Sequence, residues 1–431
     1  MRRLATMFAL ALIACGAPSG GTNEGSYDRG APLPGPSTTP DTSSGRHDPG
    51  ANGPDASTNP PDAGANPPDA GAPSCAEETA AIQRAMDAAH PANRDAVAAI
   101  KTPACGVRYF ASGPSKVDRS KLHRIASVTK SYVGGVVLKL VEDGLLSLDS
   151  PASQWLPGIP GGNTVLVRHL LQHTGGLKPF DNTLGFRTCL LFGGCTPQQL
   201  LDLSFQQGQA SAPGSTFQYT NANFVALAVI AEKVAGKPIA TLLRERLRTP
   251  LGTQATFFAG TERVEGTMAV GRDEAGNDAT NNLQPAALFG AGNIVATPGD
   301  VLTWTEALGS GTFHSPAIQA EIEKAIAISG TNDYKYGLAM MEIQPSATFG
   351  GGLGRGHNGD LIPGYHTQAF YFPERRTTVV SIIDYTPSGW QQNPQPIYAV
   401  FRAILKTLFS PQATAVDTEN TSVMPMVEGW R

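Results

Sequence analysis

Ile125-Ala126-Ser127-Val128-Thr129-Lys130-Ser131, running on into Tyr132-Val133-Gly134-Gly135-Val136-Val137-Leu138-Lys139-Leu140-Val141, decides how this chain reads. Val133, Val136, Val137, Leu140 and Val141 recur at helical spacing, which predicts a helix from Ser127 to Asp143, with Gly144 placed to end it. Ser127 and Lys130, three apart, share one face of that helix and can meet. At a helix start the unpaired N–H groups and the positive dipole end favour negative charge on an attacking oxygen. A Lys in a shielded pocket loses its proton more easily or stabilises an alkoxide, the activation that a weak hydroxyl nucleophile needs. Taken alone, the pattern reads equally as a Ser cap followed by a solvated Lys.

Two further motifs lie downstream. Tyr219-Thr220-Asn221 follows the turn Ala212-Pro213-Gly214-Ser215 and precedes an apolar helix. A Tyr hydroxyl, with an ordinary pKa of about 10, becomes a general base if a neighbouring ammonium lowers it, and Asn221 can hold a substrate amide. His357-Asn358-Gly359 closes a Gly-rich run from Gly350. Gly359 would let a substrate approach the strand edge, and the N–H groups of Ser127 and Asp360 would form an oxyanion hole. The plainer readings are an aromatic packing residue with an Asn cap, and a His in a turn.

SVTK, YTN and HNG in that order resemble the three signatures of serine β-lactamases and penicillin-recognising D,D-peptidases, and His173-Thr174-Gly175-Gly176-Leu177 also looks like this family. The likeness covers about Val107 to Leu408, and YxN aligns it with the class C β-lactamases and their D-alanyl-D-alanine carboxypeptidase and esterase relatives. It implies Ser127, Lys130 and Tyr219 as catalytic residues and Asn221, His357 and Gly359 as substrate-binding ones. The third motif departs from the usual Lys: a His with an ordinary pKa of about 6.5 is mostly neutral and attracts a substrate carboxylate less. The expected activity is therefore a serine hydrolase resembling a D,D-carboxypeptidase acting on peptidoglycan peptides. A class C-like β-lactamase or esterase is the alternative, and an anchored, non-catalytic peptidoglycan-binding or sensor module is the rival from another class.

The whole chain agrees with export. Arg2 and Arg3 precede a short apolar run, Leu4 to Ala14, too short to span a bilayer, which ends on Leu12-Ile13-Ala14-Cys15. This resembles a lipoprotein signal over 1–15 with Cys15 lipidated, so the expected location is the bacterial cell envelope, held to a membrane by a lipid anchor alone. Residues 16–74 are rich in Pro, Gly and Asp, repeat Asn-Pro-Pro-Asp-Ala-Gly-Ala at Asn59 and Asn66, and read as a disordered tether. Cys75, Cys105, Cys189 and Cys195 allow three pairings, of which Cys75–Cys105 and Cys189–Cys195 are favoured over four buried thiols. A net charge of -4 with no basic cluster gives no reason to expect nucleic acid.

The hydrolase domain is expected over 75–410, with a tail at 411–431. Helical periodicity at Glu77–Ala89, Val167–Gln172, Pro197–Phe205, Asn223–Ala235, Ile239–Arg248 and Ile397–Leu408, and strand-like runs at Val107–Ala111, Tyr336–Ile343, Ala369–Phe372 and Thr378–Ile383, predict an α+β fold. An antiparallel sheet from about 75–165 and 300–410 would be flanked by helices, with a largely helical insertion at about 166–299. Neither a metal nor a cofactor is expected: His169 and His173 are four apart, but Leu, Leu and Gln lie between them instead of an HExxH pattern. Lys335-Tyr336-Gly337 and His173-Thr174-Gly175 mimic the third motif and read better as structural.

Overall fold

The computed structural model describes residues 74–116, 118–191, 194–328, 330–389 and 395–410. The lipoprotein signal with Cys15, the tether up to residue 73 and the tail from 411 lie outside them. Helix α1 (Cys75–Ala89) leads to strands β1 (Ala96–Thr102), β2 (Gly106–Ser112) and β3 (His123–Arg124), then α2 (Thr129–Glu142). A helical segment follows: α3 (Val167–Leu171), α4 (Leu184–Leu191), α5 (Pro197–Phe205), α6 (Asn221–Ala235), α7 (Ile239–Leu243) and α8 (Thr249–Leu251). It is interrupted by β4 (Thr256–Phe258) and β5 (Ile294–Ala296) and closed by α9 (Pro298–Gly309) and α10 (Pro316–Ile322). The chain then returns through β6 (Ile326–Ala327), β7 (Tyr334–Tyr336), β8 (Met341–Ile343), β9 (Gly354–Leu361), β10 (Tyr365–Phe372) and β11 (Thr377–Ile383) to α11 (Gln395–Phe409).

Eight strands form one sheet in the order β2-β1-β11-β10-β9-β8-β7-β6, with antiparallel neighbours throughout. Strand periodicity decides what each face buries. On β1, Ala96, Ala98 and Ile100 face α1 and α11 through Ile82, Met86, Phe401 and Ile404. Val97 and Ala99 face α2 and α9 through Val133, Val137 and Trp304. The sheet is therefore a middle layer with helices on both sides, and each fully buried Val, Ile or Leu contributes roughly 1.5–3 kcal/mol of hydrophobic stabilisation. Ser74 caps α1 in a reciprocal box with Glu77, and the Cys75–Cys105 disulfide ties that helix to the β1–β2 turn. A second disulfide joins Cys189 to Cys195.

Several sequence readings need correction. The strand-like run Tyr336–Ile343 is not one strand but the turn and second strand of the β7–β8 hairpin, near the sheet edge. Strand β1 escaped notice because Ala96-Val97-Ala98-Ala99-Ile100 is buried on both faces and shows no alternation. The insertion is less helical than expected, since β3, β5 and β4 pair into a three-stranded second sheet. The helix read over Ile239–Arg248 breaks at Arg244, where a π-turn replaces α-helical pairing.

Candidate active site

Ser127 sits two residues before α2 begins, although its spacing had placed the helix start on Ser127 itself. The chain leaves β3, Ala126 takes a left-handed conformation at φ 49°, and a 3-10 turn over Ala126–Val128 carries Ser127 into α2. A non-Gly residue held there stores strain that the surroundings must impose. The second sheet imposes it: Ile125 N–H donates to Ile294 O at 3.2 Å, and Ile294 N–H donates to Thr129 Oγ1 at 3.0 Å. From the other side β9 presses on the turn. A Cβ added at Gly359 would collide with the Ile125 carbonyl and come within 2.9 Å of Ser127 N, so only Gly fits. Gly359 thus serves close packing of β9 against the Ser127 turn, where the sequence had suggested room for substrate.

Lys130 is fully buried, and its Nζ lies 2.9 Å from Ser127 Oγ, 2.7 Å from Asn221 Oδ1 and 2.8 Å from Ala291 O. The solvated-Lys reading is therefore excluded. Burial pulls its pKa down to about 7, and the nearby Asp181 carboxylate partly resists the shift. The Ala291 carbonyl and the Asn221 oxygen can only accept, so they take two amine hydrogens. Ser127 Oγ occupies the third position, where it accepts from an ammonium or donates to a neutral amine.

Tyr219 precedes α6; Thr220 caps that helix and Asn221 opens it. The ring stacks on His173 with centroids 4.1 Å apart, and Lys130 Nζ lies 4.8 Å from its centre. Burial raises the phenol pKa well above its ordinary value, with the Asp360 and Asp181 charges adding to the rise and a hydrogen bond with Ser127 opposing it. This overturns the expectation that a neighbouring ammonium would lower it: the desolvation of a phenolate outweighs a Lys that is itself half deprotonated near pH 7. Tyr219 rests as a neutral hydroxyl beside Ser127, and the group poised to accept a proton is Lys130.

His357 lies in mid-strand on β9, not in a turn, and is only 1% exposed. Because a carbonyl only accepts, its Nδ1 donates to Asn358 O, which leaves Nε2 to accept the Tyr336 hydroxyl at 3.0 Å. Burial lowers its pKa to about 3, so it is neutral at physiological pH. It is absent from the side chains that line the pocket beside Ser127: Ala126, Phe180, Asn221, Leu288 and Leu361 among them. Its ring is held by the Tyr336 hydroxyl and the Asn358 carbonyl. Asp360 does line that pocket, and since Gly359 faces the Ser127 turn, strand alternation sends the Asp360 side chain to the other face, where it bonds His366 Nδ1 at 2.9 Å.

Two functional-looking residues were missed. His173, fully buried, accepts the Thr220 N–H and the Asn223 amide at Nδ1 and fixes the face of Tyr219. It belongs to the quoted HTGGL string, so a signal existed for position but not for contact. Asp181, also buried, accepts Asn221 Nδ2 at 2.8 Å; nothing local in Pro179-Phe180-Asp181-Asn182 announced it. Of the decoys, Lys335 is exposed on β7, and His169 accepts the Leu166 N–H as a helix cap.

The family model described as Beta-lactamase matches residues 82–396, most of the chain. The chain belongs to the beta-lactamase family. Among family relatives, it is 29% identical over 205 residues to the D-alanyl-D-alanine-carboxypeptidase/endopeptidase AmpH of Escherichia coli (strain K12), covering 46% of this chain and 51% of that one. It is 33% identical over 156 residues to esterase EstB of Burkholderia gladioli, covering 33% and 39% respectively. The chain spans about half the length of the first curated relatives it matches. Its fold resembles the crystal structure of D-amino acid amidase from Ochrobactrum anthropi SV3, with TM-score 0.67 at 24% identity, over 77% of this chain and 99% of that one. The antiparallel sheet flanked by helices is the fold of this family.

Proposed function

We propose that this beta-lactamase family member is a serine hydrolase that works through an acyl-enzyme on Ser127. The observation that carries the reading is the fully buried Lys130 amine, 2.9 Å from Ser127 Oγ with a pKa of about 7. As Ser127 Oγ bonds to the substrate carbonyl carbon, its proton passes to Lys130, and the carbonyl oxygen takes the electron pair toward the N–H groups of Ser127 and Asp360. Tyr219 then relays a proton from Lys130 to the leaving group, and Asn221 holds the acyl chain. Water releases the acyl group by the reverse path.

Within that class the proposed activity is D-alanyl-D-alanine carboxypeptidase-like cleavage of peptidoglycan peptides, supported by the AmpH relative. The proposed setting is the cell envelope, with Cys15 lipidated as a membrane anchor and residues 16–74 as tether. A second reading, an esterase or amidase, is favoured by one observation: among the described residues no Lys or Arg lines the pocket and His357 is neutral, which weakens the attraction for a terminal carboxylate. The test assays the purified protein side by side on a diacyl D-Ala-D-Ala peptide, nitrocefin and a p-nitrophenyl ester, with Ser127→Ala as control. Turnover of the peptide well above the others supports the first reading, and turnover of the ester alone supports the second. An active Ser127→Ala variant overturns both.

A further inference from the structure

Asn221 is symmetric in shape but not in chemistry. Its Oδ1 accepts from Lys130 Nζ at 2.7 Å, while its Nδ2 donates to Asp181 Oδ1 at 2.8 Å. Turned over, the amide would aim two hydrogens at the Lys130 nitrogen, opposing an ammonium or capturing the lone pair of a neutral amine. Burial raises the Asp181 pKa to about 6, so above that pH it is an ionised carboxylate that only accepts, and it selects the productive orientation. Asp181 is itself buried, its Oδ2 has no hydrogen-bond partner, and no Lys, Arg or His forms an ion pair with it among the described residues. A buried carboxylate without an ion-pair partner is costly, and structural convenience does not account for it.

We propose that Asp181 is a positioning residue for the Ser127–Lys130 pair, acting through Asn221: it locks the amide so that Oδ1 faces Lys130 and supplies the negative charge that balances Lys130 when it takes the serine proton. The inference rests on the acyl-enzyme reading and deepens it. The electrostatics agree, since the Asp181 charge pushes up the pKa values of both Lys130 and Tyr219. The other titratable groups facing Lys130 and Tyr219 are His173 and His357, both held neutral by burial, Tyr336, whose phenol burial keeps protonated, and Asp360, which bears on Tyr219. Asp181 is thus the anion coupled directly to Lys130, and the pair titrates as a unit.

The test is the pH dependence of kcat/KM on a p-nitrophenyl ester from pH 5 to 9, with the full chain carrying Asp181→Asn, Asp181→Ser or Asp181→Glu. Without the charge, Lys130 deprotonates more readily. The acid limb of Asp181→Asn is expected to move about one unit lower, and the plateau above pH 8 to fall about tenfold as the base weakens and the amide loses its lock. Asp181→Ser repeats the test if the Asn variant does not fold. Asp181→Glu keeps the charge, so its limb is expected to stay with the parent's while its plateau drops. An Asn or Ser variant with an unmoved limb overturns the proposal, and so does a Glu variant whose limb moves with theirs. Ser127→Ala separates the two levels: if it retains turnover the acyl-enzyme reading fails, whereas an inert Ser127→Ala beside an unmoved Asn limb fails Asp181 alone.

Discussion

Lys130 reaches the site from α2 and His357 from β9, and both are sealed from water, at 0% and 1% exposure. Burial disfavours the charged form of each, yet it leaves Lys130 with a pKa of about 7 and His357 with one of about 3. Both move downward, so the starting points decide where each group comes to rest. An amine that begins above 10 ends poised at physiological pH; an imidazole that begins near neutrality ends inert. Their partners follow suit, because Lys130 meets a nucleophile, an amide oxygen and a carbonyl, whereas His357 meets a tyrosine hydroxyl and its own neighbour's backbone. The proposed mechanism therefore routes proton transfer through Lys130 and leaves to His357 the holding of shape.

That contrast can be broken by mutation, beginning with the largest effect. Ser127→Ala is expected to lower kcat/KM on a p-nitrophenyl ester by about 10^4-fold or more, with an unchanged circular dichroism spectrum. Lys130→Met is expected to cost about 10^3-fold, and Lys130→Arg should not rescue it, because a guanidinium cannot act as the base. The same Met substitution should raise the melting temperature. Between pH 7 and 10.5 the unfolded chain binds a proton that the folded one has lost, so stability rises with pH through that window and the cost of burying Lys130 is fully present below it. Calorimetry at pH 6.5 checks the sign. Tyr219→Phe is expected to lose about 10^2-fold, as it removes a proton relay but keeps the stack on His173. His357→Asn should lose less than about tenfold and leave the shape of the pH profile unchanged, since no proton is routed through it.

Much of this was legible in the sequence because it depends on local spacing. Ser127 and Lys130 meet because residues three apart on a helix must, and Val133, Val137 and Leu140 gave the helix away. Other features depend on which distant segments touch. Asp181 matters only because Asn221, on α6, lies against it, and β1 is a run of small apolar residues whose partners Val379–Ile383 lie far along the chain. The direction of the Tyr219 shift was misread for the same reason. The motifs suggest that an ammonium is close, but they do not show how far the phenol is withdrawn from water, and that desolvation was the larger effect.

The most direct measurement of the central claim is the rate of covalent labelling by a fluorophosphonate between pH 5 and 9, with the adduct mapped by mass spectrometry. The account predicts one adduct, on the peptide holding Ser127, forming faster as pH rises through about 7 and following the same curve in His357→Asn. An adduct on another residue, or a rate that is flat across this range in the parent protein, would contradict it.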